Sequence, residues 1–295
     1  MRLIFIHGIN NEDNSSESIA TDWWTALVEG WQAVGLPIPG RPEIDVGYYA
    51  KILAASIEGR DPRATAQGAT AETESEARAF LDSYMQAANI TNEELAEALA
   101  AEGTPMPEVV EQGLIGRGLV ASAGALERIL RNRGQWIASG FLPQATQYIE
   151  DRGLAREIAV TVRKEVFDGK SDPAVVVAHS LGTVVAYDLL ASDRLSERTV
   201  PLFMTLGSPL AIGMMQQILP PKSNVPNPPI GRWTNAYRKE DPVALGRGIT
   251  KKTMDMIGVE NIHEGLVAHL NPHSIQAYLQ SPPVCVRIHT ALTHP

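Results

Sequence analysis

A chain of 295 residues, 44% hydrophobic and 20% charged, is long enough to bury a sizeable core, as one large domain or one domain with a substantial insertion. Its formal charge of -9, from 34 acidic against 25 basic residues with no long lysine or arginine run, argues against a nucleic-acid binder, which needs a basic face. The single cysteine, Cys285, excludes an intramolecular disulfide and asks for no oxidising compartment.

In chain order, MRLIFIHGINNEDNSS has one positive charge and an apolar run too short for a signal peptide. The expected location is the cytoplasm, with export that uses no cleaved signal left open. RLIFI reads as a strand. Residues 22–34 read as a helix capped by Thr21 or Asp22 and displaying Trp23, Trp24, Leu27 and Trp31, and EIDVGYYA reads as a second strand. A long stretch without a convincing strand follows, first acidic and alanine-rich around AETESEARAFLDSYMQAANITNEELAEALAAEG, then more apolar. It predicts an inserted helical cap over residues 55–142, with an apolar part from Val109 to Leu142, between core segments 1–54 and 143–295.

After Pro143 a helix is expected over 144–167, then the run AVVVAHSLGTVVAYDLLA. That run is apolar enough to suggest a membrane span, but a spanning helix would bury His179, Ser180 and Asp188 at high cost. It divides better into a β-branched strand, AVVVA, and a helix, LGTVVAYDLLA, so no integral membrane segment is expected. Strands at VPLFMTL, RWTNAYR and VCVRIHT follow, with a proline-rich loop from Pro220 to Pro229. Strands separated by helices imply an α/β fold with a mostly parallel central sheet flanked by helices, whose ligands sit at the strands' carboxyl ends.

Ser180 falls at the junction of a predicted strand and helix, where a sharp turn would push its hydroxyl out of the sheet edge. Such a turn needs small residues two before and two after the serine, here Ala178 and Gly182. FIHGIN supplies a second strand-to-loop turn. The backbone N–H groups of Ile9 and Leu181 are the expected donors to a developing oxyanion. A neutral serine needs a base, and a histidine base needs a carboxylate, in the chain order serine, acid, histidine. Asp241 in NAYRKEDPVALG is the candidate acid, ahead of Glu240 and Asp255; its alternative is a plain Asp-Pro turn. His273, just before the apparent helix SIQAYLQ, is the candidate base, ahead of His269, which lies in a run resembling a strand or helix face. His263, His269 and His273 also raise zinc. The spacing is not H-E-x-x-H and Pro272 interrupts any continuous helix, so no metal and no cofactor is expected.

Taken in order, FIHGIN, VVVAHSLGTVVAYDLL, LFMTLGSPL, NAYRKEDPVA and NPHSIQAYL resemble the α/β-hydrolase superfamily, particularly its small bacterial lipases and related serine esterases, over residues 1–50 and 144–290. The resemblance implies an α/β-hydrolase fold with Ser180 as nucleophile, Asp241 as acid, His273 as base, and Ile9 and Leu181 as oxyanion donors. In LGSPL it implies that Gly207, Ser208 and Pro209 line the pocket, with His7, Gly8, Asn10 and His179 beside the two turns. The implied activity is hydrolysis of a carboxylic ester, a small-molecule acyl ester or lipid, through an acyl-enzyme. Acyl transfer, thioester cleavage and a catalytically silent binding protein on the same fold are the alternatives. Transient contact with a membrane surface and the oligomeric state are left open.

Overall fold

The β-branched run at the centre of the chain becomes the centre of a six-stranded sheet in which every pairing is parallel. The computed structural model describes residues 1–58, 69–101, 118–135, 137, 139–191, 199–212, 230–250 and 258–294. Strands β1 (Arg2–Ile6), β2 (Glu43–Gly47), β3 (Ala174–His179), β4 (Phe203–Leu206), β5 (Trp233–Ala236) and β6 (Val259–Ile262) lie in the order β2-β1-β3-β4-β5-β6. Ile6 pairs with Ala178, and Leu206 pairs with both His179 and Ala236. The carboxyl ends of β1, β3, β4 and β5 are therefore level, and the turns that leave them share one edge. Val175, Val176 and Val177 are all fully buried because both sheet faces are covered, which is why this strand reads as a continuous apolar run.

On one face, Leu3, Phe5, Val175, Val177 and Met204 pack with Trp23, Leu27 and Trp31 of helix α1 (Ser16–Ala33) and with two helices near the C-terminal end of the chain. The remaining helices are α2 (Ala50–Ile57), α3 (Ala71–Ala88), α4 (Asn92–Ala100), α5 (Leu119–Asn132), α6 (Phe141–Glu150), α7 (Arg152–Val166), α8 (Gly182–Leu190), α9 (Ile275–Gln280) and α10 (Pro282–Thr293). Helix α1 starts at Ser16, well before the expected residue 22, because Ser15 and Ser18 form a reciprocal capping box. The helix expected over 144–167 is two helices, α6 and α7, divided at Asp151.

VCVRIHT is not a strand, as its alternating valines suggested, but the body of α10. Pro282 and Pro283 occupy the first helical positions, where their fixed φ and missing N–H suit a helix start. Val284, Cys285 and Ile288 form the buried helical face, and Val286, which strand alternation would have placed beside Val284, is on the outside. The sixth strand is instead VENI, whose polar middle hid it. Its Asn261 takes up a polar ladder that starts in the core: the Trp233 indole N–H donates to Thr205 Oγ1 (3.1 Å), Thr205 to Asn235 Oδ1 (2.9 Å) and Asn235 to Asn261 Oδ1 (3.0 Å). The two edge strands carry charge. Glu260 of β6 pairs with Arg287 of α10, and Asp45 of β2 is held by Arg2 and Lys170.

The chain divides into two compact units, Met1–Tyr49 with Ala159–Pro295, and Ala50–Ile158. The second is all helical among its described residues and has its own core, in which Phe80, Tyr84 and Phe141 meet edge to face or tilted. It begins at Ala50, where EIDVGYYA leaves the sheet after Gly47 and enters α2. Residues 109–117 of the expected apolar stretch and the proline-rich loop 220–229 lie outside the described residues. No helix among the described residues is long and apolar enough to cross a membrane.

One contact is tight enough to test. A Cβ on Gly182, the first residue of α8, would lie 2.2 Å from the His7 carbonyl oxygen and 2.5 Å from that of Ile6. Gly182→Ala is expected to destabilise by about 3 kcal/mol or more, the top of the usual overpacking range, because main chain and not a rotatable side chain is the obstacle. A urea titration in which the variant unfolds at the parent's midpoint would contradict this.

Candidate active site

Ser180 has φ of 56°, in the left-handed region, which for a residue with a Cβ costs about 1–3 kcal/mol. The strain is held by hydrogen bonds on both sides: Ser180 N–H donates to Leu206 O (3.0 Å), and Ser180 O accepts from Thr183 N–H (3.0 Å) and Thr183 Oγ1 (2.7 Å). The Ser180 hydroxyl oxygen is buried and has no hydrogen-bond partner among the described residues. A Cβ on Gly8 would stand 2.6 Å from Ser180 Cβ and 3.2 Å from its Oγ, so the turn after β1 lies directly against the serine and must be glycine there.

The two peptides expected to donate to an oxyanion are oriented in the same way. In a trans peptide the C=O and the following N–H point in opposite directions. The Ser180 carbonyl is pinned by Thr183, which turns the Leu181 N–H to the other side, at the start of α8 where the first N–H groups have no partner within the helix. The Gly8 carbonyl is likewise pinned, by His7 Nδ1 (2.5 Å) and Asn11 Nδ2 (3.3 Å), which turns the Ile9 N–H the other way. Asn11 Nδ2 also donates to Ile9 O (2.8 Å), and the Tyr48 hydroxyl holds the carbonyls of Asn11 (3.0 Å) and Asn14 (2.9 Å), fixing the loop beyond.

His7 is completely buried, stacked on Tyr49 with ring centroids 4.5 Å apart, and its Nε2 lies 3.1 Å from the Tyr49 N–H. A carbonyl accepts and an amide N–H donates, so the ring is the neutral tautomer with its proton on Nδ1. Burial lowers its pKa from the usual 6.5 to about 4, partly offset by the bond to Gly8. His179 is also neutral. Its Nε2 lies 3.0 Å from the His273 carbonyl, and burial, then the charge of a protonated His273, push its pKa well below 6.5.

Asp241, fully buried just beyond β5, meets His273 from the loop before α9, with His273 Nδ1 2.9 and 2.8 Å from the two carboxylate oxygens. Asp241 Oδ1 also accepts from Val243 N–H (2.9 Å) and Oδ2 from the Tyr278 hydroxyl (2.8 Å). His273 is set by Asn271 Oδ1 on its N–H (2.8 Å), and its ring lies 4.4 Å from that of His179, the residue before the serine. Gly207, at φ of 54°, passes beside the pair: a Cβ there would be 2.7 Å from Asp241 Oδ2 and 2.8 Å from His273 Nδ1.

Thus Ser180, Leu181, His7, Gly8, Ile9, His179, Gly207, Asp241 and His273 share one neighbourhood at the carboxyl edge of the sheet. Asn10 is exposed at φ of 56°. The Ser208 hydroxyl bonds Thr183 Oγ1 (2.7 Å) and caps the short 3₁₀ turn Pro209–Ala211 through Leu210 N–H (3.1 Å). Glu240 is exposed, and Asp255 lies outside the described residues. His269 is in an exposed loop, not on a strand or helix face, and bonds Asn271. His263 stacks on Tyr237. No group of three His, Cys, Asp or Glu side chains among the described residues could hold a metal ion. The sequence reading missed Thr183, whose bonds to Ser180 O are local, and Tyr49, Tyr278 and Arg238, whose hydrogen bonds cross the fold and leave no local pattern.

The neutral histidines set a pH dependence. With a folded pKa near 4 against 6.5 unfolded, His7 makes the unfolded chain bind more protons as pH falls through that window. Stability should be fully present above about pH 6.5 and fall by roughly 3 kcal/mol on this account by pH 4, with His179 adding in the same direction. His7→Asn keeps a donor for Gly8 O and cannot titrate, so its stability, measured by denaturant unfolding between pH 7 and 4, should fall less steeply than the parent's. Parallel slopes would contradict the assignment. Comparisons of this chain with protein-family models, with characterised proteins and with solved structures give no match, so the chemistry of the site has to speak for itself.

Proposed function

We propose that the protein is a serine hydrolase of the α/β-hydrolase type that cleaves carboxylic esters, of lipids or other acyl groups, through an acyl-enzyme. The observation that carries the reading is Ser180: a strained, buried serine with an uncommitted hydroxyl at the end of a central parallel strand, beside a buried Asp241–His273 pair. A side chain held in that conformation at a structural cost is what an exposed-turn nucleophile requires.

In the proposed reaction Ser180 Oγ attacks the ester carbonyl carbon as its proton passes to His273 Nε2. Asp241 keeps the proton of His273 on Nδ1, so that Nε2 is the basic nitrogen, and stabilises the imidazolium that forms. The carbonyl oxygen becomes an oxyanion and accepts hydrogen bonds from Ile9 N–H and Leu181 N–H, each donor of this kind contributing about 3 kcal/mol to transition-state stabilisation. The C–O bond to the leaving alcohol then breaks, and that oxygen takes the proton from Nε2. Water, deprotonated by the same nitrogen, attacks the acyl-enzyme and releases the acid and Ser180. The neutrality of His7 and His179 serves this cycle, because a fixed positive charge on either would oppose the imidazolium.

A fluorophosphonate probe tests the reading, since it reacts only with an activated serine. The parent is expected to label at Ser180, with Ser180→Ala unlabelled and folded. His273→Ala should slow labelling by several orders of magnitude, while His269→Ala should label close to the parent rate. A parent that folds but does not label would instead favour a binding protein, and labelling that survives Ser180→Ala would move the nucleophile elsewhere.

A further inference from the structure

We propose that Tyr278 is a positioning residue that aims Asp241 at His273, with Arg238 holding the phenol in place. The proposal rests on the hydrolase reading and adds to it a residue outside the triad.

The acid and the base arrive on different loops. Arg238 and Asp241 follow β5, whereas His273 precedes α9 and Tyr278 lies on it. The Tyr278 hydroxyl oxygen lies 3.0 Å from Arg238 N and 2.8 Å from Asp241 Oδ2. A main-chain N–H can only donate, so the phenol oxygen accepts from Arg238 and gives its own proton to the carboxylate. Burial, reinforced by the adjacent Asp241 charge, pushes the Tyr278 pKa well above 10, so that proton is present throughout the neutral range.

Arg238 braces the same junction twice more. Its guanidinium lies over the Tyr278 ring, 4.2 Å from the centroid, a cation–π contact. Its Nη1 and Nη2 donate to the carbonyls of Pro272 and Val267, each at 2.9 Å, and so grip the loop that delivers His273. Asp241 thus has Val243 N–H on Oδ1, Tyr278 O–H on Oδ2 and His273 Nδ1 reaching both oxygens. Without the phenol proton, Oδ2 would keep only the bond from His273 and the carboxylate plane would lose one of its two anchors. The phenol also draws negative charge from Oδ2, which moderates how strongly Asp241 pulls on the Nδ1 proton. The other titratable groups at the pair are His179, neutral and bonded to the His273 carbonyl, and the Arg238 guanidinium on the far side of the Tyr278 ring.

Tyr278→Phe removes the proton and keeps the ring. It is expected to slow fluorophosphonate labelling of Ser180 about tenfold or more, as loss of a hydrogen bond to a charged group typically does. In a protein carrying ¹⁵N-histidine, the far-downfield proton resonance of His273 Nδ1–H should move further downfield as Asp241 regains charge. Replacing Tyr278 with 3-fluorotyrosine, a stronger donor of nearly the same shape, should move that resonance upfield and retain labelling. This second substitution keeps the test alive if the phenylalanine variant does not fold. A resonance and labelling rate unchanged from the parent in either folded variant would overturn the proposal. The resonance needs no turnover. If the parent fails to label while the resonance still responds to position 278, the hydrolase reading falls and the positioning of Asp241 by Tyr278 stands.

Discussion

The whole carboxyl edge depends on how closely the start of α8 lies against the end of β1. Gly182 has main chain where any other residue would have a side chain, and the carbonyls of Ile6 and His7 occupy that space. The contact locks together two turns that are far apart in sequence. Once Ile6 is level with Ala178, the turn after β1 has to pass beside the turn after β3, which puts Gly8 against Ser180. A slip of one residue would reverse every side chain on one strand and move the serine away from its neighbours. The positive φ of Ser180 is how the chain leaves a buried strand and enters α8 at once.

Two carbonyls, those of Gly8 and Ser180, are each held by a side chain from the same short stretch of sequence, His7 with Asn11 in one case and Thr183 in the other. Pinning an acceptor is an economical way to aim a donor, because the peptide plane transmits the orientation without further contacts. It also explains why three histidines crowd the site without competing. Of His7, His179 and His273, only His273 is bonded to a carboxylate; the other two bond main-chain groups that match a neutral ring. Burial and partner type, not residue type, divide the labour among them.

The legibility of this arrangement in the sequence varied with the kind of signal. Val175–Ala178 and the helix after them could be read locally, because a β-branched strand buried on both faces and a run with apolar positions at helical spacing have different periods, and Ser180 marks the change. The pairing of Asp241 with His273 rested on chain order. Tyr278 lies within the apparent helix SIQAYLQ, and its hydroxyl reaches back to a loop some forty positions earlier, which nothing in its neighbours announces. The misread at VCVRIHT has a different origin. Val284, Val286 and Ile288, two apart, fit strand alternation, whereas Val284 and Ile288, four apart, share the buried helix face, and Pro282 and Pro283 before them suit a helix start. VENI failed for the opposite reason, since an edge strand owes its place to main-chain pairing and needs no apolar pattern.

The charges on β2 and β6 have a bearing on how the molecule behaves in company. A parallel sheet ends in two strands with unpaired main-chain groups, and an apolar edge invites another chain to add a seventh strand. Here Glu43 and Asp45 on one margin and Glu260 on the other carry carboxylates, tied down by Lys170, Arg2 and Arg287 from within the same fold. An incoming strand would have to strip those ion pairs of their water and displace their partners. Self-association through the sheet margins is thereby discouraged, and the lattice of hydrogen bonds that fixes the register of the carboxyl edge ends inside one molecule.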